Sequence, residues 1–416
     1  MLLKSPFPYK PISEGCNFLS GFAFKSKEFS DEGIPVVKIK NIQNNKVDFK
    51  ESQFYPESLF QLKLDRFRVF HKDVLIAMTG QGSVGRVGQV KIEKNYFGLL
   101  NQRVGKFICD ENKLNRDYLF YILTSDRYQN HLFDKAVGSG QPNLSPTDII
   151  SVEIPFPSYK EQKSIASILS ALDDKIELNL QMNKTLEEMA MALYKHWFVD
   201  FGPFQDGEFV NSELGKIPKG WDVQNINNLI DVIYGAPFKS KLFNEDKKGY
   251  PLIRIRDLKS GSPQYFTEEN HIKKTVIHKG DILAGMDALF TPYVWSGEVA
   301  VLNQRVVFFK PKYTYIKRRF IYEAVKPWLK FYEGAKVGTT VIHLSKGDID
   351  GFKFIFPKNP AIVESFNSQI EPLHQKIINN YFENSSLTQL RDTLLPKLIS
   401  GDVRVKEVEK IVTEAL

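Results

Sequence analysis

The sequence predicts an α+β protein made of two duplicated mixed α/β domains separated by two long helices packed as a coiled coil. Three observations predict this fold: a repeat along the chain, strand and helix patterns within each copy, and a heptad pattern after each copy. With 416 residues, the chain is also too long for one compact core. We therefore divide it into a first domain at residues 1–157, a central helix at 158–205, a second domain at 206–357, and a distal helix and tail at 358–416.

The repeat consists of matched segments that keep their order along the chain. Residues 24–29, FKSKEF, return as FKSKLF at residues 238–243, and LNQRV at residues 100–104 returns unchanged at residues 302–306. Between residues 120 and 157 an offset of 200 aligns nine identical residues, where average composition gives roughly two by chance. The offset changes elsewhere because loops between matched strands differ in length, as expected for one duplicated fold.

Each copy starts with strand patterns and ends with a helix and a closing strand. In the first copy, residues 35–42 alternate as in a half-buried strand, and residues 74–78 form a buried apolar strand. Apolar residues at near-helical spacing predict a helix over residues 114–132, which residues 320–332 repeat. A Ser-x-x-Asp turn at residues 145–148, also repeated, then leads into the closing strand.

The two helical segments carry mostly apolar residues at every seventh position, which is typical of coiled coils. In each series of five such positions, the middle residue is an asparagine, Asn179 in the first helix and Asn380 in the second. In an antiparallel pair the middles of the two helices meet, so in that arrangement we expect these amides to pair and to fix the helix register. Two alternatives remain open: each helix packs only on its own domain, or the asparagines lie at the edge of the seam and bond to water.

The excess of positive charge lies in the two copies. The chain has 56 Lys+Arg and 49 Asp+Glu, which gives a net charge of +7. Residues 1–157 contain 21 basic and 17 acidic side chains, and residues 221–357 contain 21 and 14, so the copies carry +4 and +7. Residues 158–220 and 358–416, which contain the helical segments, carry −3 and −1. This distribution favours a polyanion as the partner of the copies and protein as the partner of the helices.

The composition excludes several classes of protein. Two cysteines, Cys16 and Cys109, are too few for a disulfide framework. No apolar run reaches 18 residues, and the first residues lack the apolar core of a signal peptide. We therefore expect a cytoplasmic protein with no membrane partner.

A glycine-rich segment, GQGSVG at Gly80–Gly85, has the spacing of a dinucleotide-binding fingerprint but not its context. A dinucleotide site needs a helix after the third glycine and an acidic residue about 20 residues later, whereas this sequence continues as a strand. We interpret the segment as a tight hairpin; the alternative is a loop that brings Arg86 to a nucleic acid. The seven histidines show no metal-ligand spacing. The sequence therefore predicts no catalytic residue, metal site or cofactor.

Basic and polar side chains suited to nucleic acid lie in the matched turns and in the loops that differ between the copies. Lysines and serines in the turns suit phosphate contact, while asparagine and glutamine can read adenine. The pentapeptide LNQRV is assigned a structural or phosphate role, because copies that read different bases should differ there. The predicted DNA-binding residues are Lys25, Ser26, Lys27, Asn41, Gln43, Gln81, Ser83, Arg86, Gln141, Asn143, Lys239, Ser240, Lys241, Arg256, Tyr293 and Trp295.

Five motifs resemble those of the specificity subunits of type I DNA restriction-modification enzymes. They are VLIAMTG at 74–80, GSGQPNLS at 138–145, WFVDF at 197–201, IPKGW at 217–221 and LLPKLISG at 394–401. The resemblance covers nearly the whole chain. It departs from the family pattern before Ile12, where no Ile-Pro-x-Gly-Trp segment stands, and at residues 341–343, where VIH replaces Gln-Pro-Asn.

The resemblance implies that each domain is a target-recognition domain that binds one half of a split site on double-stranded DNA. It also implies that the two long helices pack as an antiparallel coiled coil that serves as a spacer, and that two modification subunits and then restriction subunits assemble around the chain. S-adenosylmethionine, ATP and magnesium would belong to those partners, and the chain itself would not be an enzyme. Two other functions remain as alternatives: a tandem nuclease with an unrecognised active site, and a pure protein scaffold.

Overall fold

The computed structural model describes residues 5–136, 142–288, 290–335 and 342–415. The chain forms two compact units. The first unit contains the chain up to Ile176 together with the part from Ser386 onward, and the second contains Glu177–Ser385. Among the described residues, every helix is too short or too polar to cross a membrane.

The first unit is a mixed α/β domain. Its sheets have the strand orders β2-β11-β8-β9-β5-β4, β6-β3-β10-β7 and β1-β12. The strands are β1 (Tyr9–Pro11), β2 (Cys16–Ser20), β3 (Ile34–Val37), β4 (Ile42–Gln43), β5 (Lys46–Val47), β6 (Gln53–Tyr55), β7 (Arg68–Val69), β8 (Val74–Ala77), β9 (Val87–Val90), β10 (Gly98–Leu100), β11 (Val104–Cys109) and β12 (Glu153–Pro155). The helices are α1 (Arg116–Thr124), α2 (Asp126–Lys135), α3 (Pro146–Ile150) and the first part of α4 (Tyr159–Phe198).

The second unit repeats this plan. Its sheets have the orders β16-β24-β21-β22, β17-β19-β18-β23-β20, β15-β25 and β13-β14. The strands are β13 (Phe209–Ser212), β14 (Gly215–Pro218), β15 (Trp221–Asn225), β16 (Ile230–Tyr234), β17 (Phe243–Asn244), β18 (Tyr250–Ile253), β19 (Phe266–Thr267), β20 (Val276–Ile277), β21 (Ile282–Gly285), β22 (Pro292–Val294), β23 (Ala300–Leu302), β24 (Val306–Pro311) and β25 (Lys353–Pro357). The helices are α5 (Ile226–Leu229), α6 (Arg318–Ala335), α7 (Lys346–Asp350) and α8 (Pro360–Ser400), whose last part joins the first unit with α9 (Val405–Ala415).

Strand pairing confirms the predicted duplication. In the first unit β3 pairs in parallel with β10, and β11 lies between β2 and β8 in antiparallel pairs. The corresponding strands of the second unit pair in the same way, with β18 parallel to β23 and β24 between β16 and β21. The free thiols of Cys16 and Cys109 lie on facing positions of β2 and β11.

Three predicted elements differ in detail from the structure. The strand predicted over residues 35–42 ends at Val37, because the Asn41 side chain accepts a hydrogen bond from the Lys38 backbone N–H at 2.8 Å and folds a 3-10 turn. The helix predicted over residues 114–132 is broken at Ser125, whose backbone is extended. The Ser-x-x-Asp turns are the capping boxes of the short helices α3 and α7.

The long helices belong to the cores of both units. In the first unit, Ile165 and Leu172 of α4 are buried in one cluster with Leu387 and Leu394 of α8. In the second unit, residues from the last third of α4 and the first third of α8 are buried in one cluster with the domain core. The helix residues are Ala190, Trp197, Phe198, Phe366 and Ile370. The helices therefore pack on each other and on their domains, so the coiled coil and the packed amphipathic helix coexist.

Candidate nucleic-acid interface

Four loops of the first unit meet at the carboxyl end of β8 and the amino end of β11. Backbone hydrogen bonds join them in series, from Gln102 N–H to Phe22 C=O at 2.9 Å, from Met78 N–H to Arg103 C=O at 2.9 Å, and from Leu144 N–H to Met78 C=O at 2.8 Å. We call residues 22–24, 78–86, 101–103 and 142–144 the first recognition edge. Because the loops are bonded to each other, their side chains are presented on one fixed surface.

The glycine-rich segment is the hairpin between β8 and β9, and part of this edge. Gly80 donates its backbone N–H to the Pro142 C=O at 3.2 Å, so the hairpin joins the loop that contains Asn143. The backbone φ angles of Gly82 and Gly85 are +67° and +81°, values that favour glycine. No helix follows the hairpin, so the dinucleotide interpretation is excluded.

The hairpin and its neighbouring loop expose polar side chains. Gln81, Arg86 and Asn143 are exposed, and Ser83 is half-buried. Gln141 lies outside the described residues. The structure thus brings together four residues that were predicted from two distant segments of the sequence.

The repeated lysine turn lies beside the edge in each unit. Lys25, Ser26 and Lys27 are exposed on a 3-10 turn, and Phe24 before the turn is buried. Phe24 donates its backbone N–H to Phe22 of the edge at 3.2 Å. In the second unit, Lys239, Ser240 and Lys241 are likewise exposed, and the buried residue before them is Phe238. This arrangement suits contact with phosphates.

Replacing Lys25 or Lys239 by Ala is expected to weaken DNA binding by the assembled complex on all sequences and to flatten its salt dependence by about one unit of slope. The reason is that a lost phosphate contact releases one fewer counterion. The matched control is Lys113→Ala. Lys113 resembles Lys25 in being exposed and in having an acidic residue three positions away in sequence, but it follows the opposite end of β11. A changed base preference at constant slope would contradict the phosphate role.

Not all predicted residues are available for contact. Asn41 is buried, and its amide group donates to the Asp48 C=O and the Ser52 hydroxyl. Trp295 is fully buried and donates its indole N–H to the Glu298 C=O at 2.8 Å. Because both side chains are used inside the fold, we leave them out of the proposed interface.

Three further predicted residues are at least partly exposed. Tyr293 on β22 is half-buried against the core of the second unit. Gln43 is exposed and donates to the Lys40 C=O at 2.9 Å, and Arg256 is exposed on a 3-10 turn. Gln43 and Arg256 stay as predicted DNA contacts.

The second unit forms its recognition edge with two of the three backbone hydrogen bonds that join the loops of the first edge. Met286 N–H donates to Arg305 C=O at 3.0 Å, and Leu344 N–H donates to Met286 C=O at 2.8 Å. Between them, the side chains of Asp287, His343 and Arg305 form a polar cluster. Asp287 and His343 were not predicted from the sequence, and Arg305 was assigned a structural or phosphate role, although the difference between VIH and Gln-Pro-Asn in the matched loop was a signal.

The central asparagines of the helices are buried but do not pair as expected. Asn179 donates to Asn384 Oδ1 and to Glu383 Oε2, both at 2.9 Å, and Asn380 donates to Asn183 Oδ1 at 2.8 Å. The predicted Asn179–Asn380 pair therefore does not form. Each of these asparagines pairs instead with an asparagine one helical turn further along the other helix, Asn179 with Asn384 and Asn380 with Asn183. Heptad spacing predicts which residues lie between the two helices. It does not predict their register, which depends on where each helix begins relative to its domain.

Asn179→Leu is expected to destabilise the protein by about 1–3 kcal/mol, because a buried amide that makes two hydrogen bonds is replaced by an apolar group. The double variant Asn179→Leu/Asn384→Leu should recover part of this loss, since the Asn384 amide is removed together with its partner, while Glu383 still loses its contact with Asn179. Denaturant unfolding measures both, with Gln181→Leu at an exposed position of α4 as the control. A double-mutant cycle without coupling would refute the pairing.

The fold and the two edges define a tandem-domain protein with one loop-built recognition surface in each copy. Comparison with known proteins gives the family. Residues 5–188 and 218–388 match the type I restriction modification DNA specificity domain. The chain therefore belongs to the family of type I restriction-modification specificity subunits, and the predicted recognition function is confirmed at that level.

Individual relatives agree with the family match. The chain is 31% identical over 407 residues to the MjaIX specificity subunit of Methanocaldococcus jannaschii, covering 92% of this chain and 90% of the relative. It is 24% identical over 376 residues to the HindI specificity subunit of Haemophilus influenzae, covering 72% and 80%. The fold is similar to the crystal structure of the S subunit from M. genitalium, with a TM-score of 0.58 at 18% identity over 96% of this chain and 97% of that chain. The nuclease alternative has no support among these relatives.

Proposed function

We propose that the first and second units each read one half of a bipartite site on double-stranded DNA, and that the helices set the spacing between the half-sites. The domains are residues 1–157 and 206–357, and the helices follow each domain. The observation that carries the proposal is that the two edges share one backbone hydrogen-bond pattern but present different side chains. A shared scaffold with different contacts is what two different half-sites require.

The proposal includes the partners of the chain. Residues 158–220 and 358–416, which contain the helices, carry net charges of −3 and −1. Some of the large apolar side chains of the helices are exposed; on α4 these are Leu178, Leu180, Met189 and Met191. Such surfaces suit protein contact. We infer that two modification subunits dock on this chain and that restriction subunits join them, in the cytoplasm. S-adenosylmethionine, ATP and magnesium then bind to those partners, and the chain supplies recognition without catalysis.

Methylation mapping tests the proposal. The chain is expressed with the modification subunits of its own operon in cells without other methyltransferases, and methylated positions are sequenced. We expect one motif made of two specified halves and an unspecified spacer, absent when this chain is omitted. A continuous motif, or the same motif without the chain, would contradict the proposal. In parallel, the isolated chain with DNA and magnesium should leave the DNA uncut, because cleavage would favour the nuclease alternative.

A further inference from the structure

We propose that Arg305 reads a guanine within the half-site of the second unit, and that Asp287 and His343 are positioning residues for its guanidinium group. This inference rests on the proposed function, since it assigns one contact of the second recognition edge. It separates the roles of two arginines, Arg103 and Arg305, that occupy the same position in an identical pentapeptide.

The three side chains come from three loops that the backbone holds together. Arg305 Nε lies 3.6 Å from Asp287 Oδ2, and Arg305 Nη1 lies 3.3 Å from His343 Nδ1. His343 Nδ1 is in turn 2.7 Å from Asp287 Oδ1. The backbones of Asp287 and His343 form a β-bridge, and the preceding Met286 accepts and donates the hydrogen bonds that join the loops. Nδ1 of His343 has a single site for a hydrogen bond and lies closer to Asp287 than to Arg305, so it donates to Asp287 Oδ1. His343 therefore holds Asp287 in place, and Asp287 holds the guanidinium on its Nε side.

The other side of the guanidinium remains available. Arg305 Nη2 makes no hydrogen bond with any residue in the described ranges, and the side chain is 55% exposed. An arginine that is held on one side and open on the other can present two parallel N–H donors. Guanine N7 and O6 are the acceptors in the major groove that match this geometry.

A phosphate is a poorer ligand for this cluster than a base edge. Asp287 places a carboxylate beside the guanidinium, so an approaching phosphate meets both a positive and a negative group. A G·C pair offers the opposite arrangement, because guanine supplies acceptors for Arg305 and cytosine supplies the N4 amino donor for a carboxylate. The cluster thus matches both bases of one pair.

The first unit provides the contrast within the same chain. The positions that match Asp287 and His343 are Thr79 and Asn143, which also form a β-bridge but carry no charge. The side chain of Arg103 is exposed and has neither a hydrogen bond nor an ion pair with another described residue. Arg103 therefore keeps the phosphate role, whereas Arg305 acquires a base-reading role from its neighbours.

Binding to modified DNA tests this assignment. The complex of the full chain with its modification subunits is titrated against its mapped site, in which each guanine of the second half-site is replaced in turn by 7-deazaguanine. At one guanine, we expect wild-type affinity to fall, because the N7 acceptor is lost while O6 remains. Arg305→Ala should bind the unmodified site about 5- to 150-fold more weakly, the range for a whole bidentate arginine contact, and show no further loss at that guanine.

Two other variants complete the experiment. Arg103→Ala should weaken binding to all sequences and keep the full loss at that guanine. The variant with Asp287→Thr and His343→Asn, which installs the residues of the first unit, should relax the base preference at the same pair while DNA binding persists. Preserved discrimination in that variant would overturn the positioning role.

The results also distinguish this inference from the proposed function. If the wild-type complex has a bipartite site but Arg305→Ala stays sensitive to every 7-deazaguanine, or if the second half-site has no guanine, the assignment of Arg305 is overturned and the proposed function stands. If the wild-type complex shows no bipartite site, both are overturned.

Discussion

Replacing Arg319 by Met should destabilise the second unit by about 3–5 kcal/mol, because it leaves an uncompensated carboxylate in the core. Arg319 and Glu323 form an ion pair one turn apart on α6, and their side chains are 0% and 2% exposed. The Arg319 guanidinium also lies 4.4 Å from the ring centroid of Tyr322. Burial raises the pKa of Glu323, opposed chiefly by Arg319, so removal of the arginine removes the main group that favours its charge.

Unfolding of the full chain in urea measures this loss, with an exposed pair as the control. Lys184 and Glu188 also lie four residues apart, on α4, with side chains 80% and 60% exposed. Lys184→Met should therefore cost no more than about 0.5 kcal/mol. The double variant Arg319→Met/Glu323→Leu should regain the stability lost in the single variant, since an apolar pair fills the same space. Equal losses for Arg319→Met and Lys184→Met would show that the buried pair has no special role.

Acidification is expected to destabilise the second unit through His374, by about 2 kcal/mol between pH 6.5 and pH 5. His374 is buried, and neither ring nitrogen has a hydrogen-bond partner among the described residues. Burial, assisted by the nearby Arg319 and Arg318, lowers its pKa to about 3. The unfolded chain therefore binds a proton below pH 6.5 that the folded unit does not bind until about pH 3, so stability falls as the pH is lowered through this interval.

His374→Leu should remove this component of the pH dependence. The difference in unfolding free energy between the variant and the wild type is expected to grow in favour of the variant as the pH falls from 6.5. Denaturant unfolding at several pH values gives this difference, and His278→Leu, which removes an exposed histidine of the same unit, is the control. Parallel curves for the wild type and His374→Leu would contradict the assignment.

The duplicated fold could be predicted from the sequence because the repeated segments contain residues of the core. Strands β3 and β8 and their counterparts bury the same apolar positions, so the repeated pattern survives in the residues themselves. The break at Ser125 could not be predicted in the same way. The apolar spacing of the sequence continues through Ser125. The helix ends there because the Ser125 backbone is extended and its hydroxyl donates to the Ile122 C=O.

The candidate site was predicted less completely because residue type does not fix the direction of a side chain. Asn41 and Asn143 are both asparagines in loops, yet the amide of Asn41 folds its own turn and Asn143 is exposed on the recognition edge. Asp287 and Arg305 are 18 positions apart in sequence, and their interaction depends on the pairing of β21 with β24. Contacts of this kind follow from the fold and not from local sequence patterns.

The most direct test of the central claim, that each unit reads its half-site independently, is exchange of one domain. Residues 1–157 are replaced by the matching domain of a relative that has a different mapped site, and the methylated motif of the assembled complex is determined. We predict that one half of the motif changes to that of the relative, while the other half and the spacer length stay as in the wild type. A motif that changes in both halves, or in neither, would contradict independent recognition.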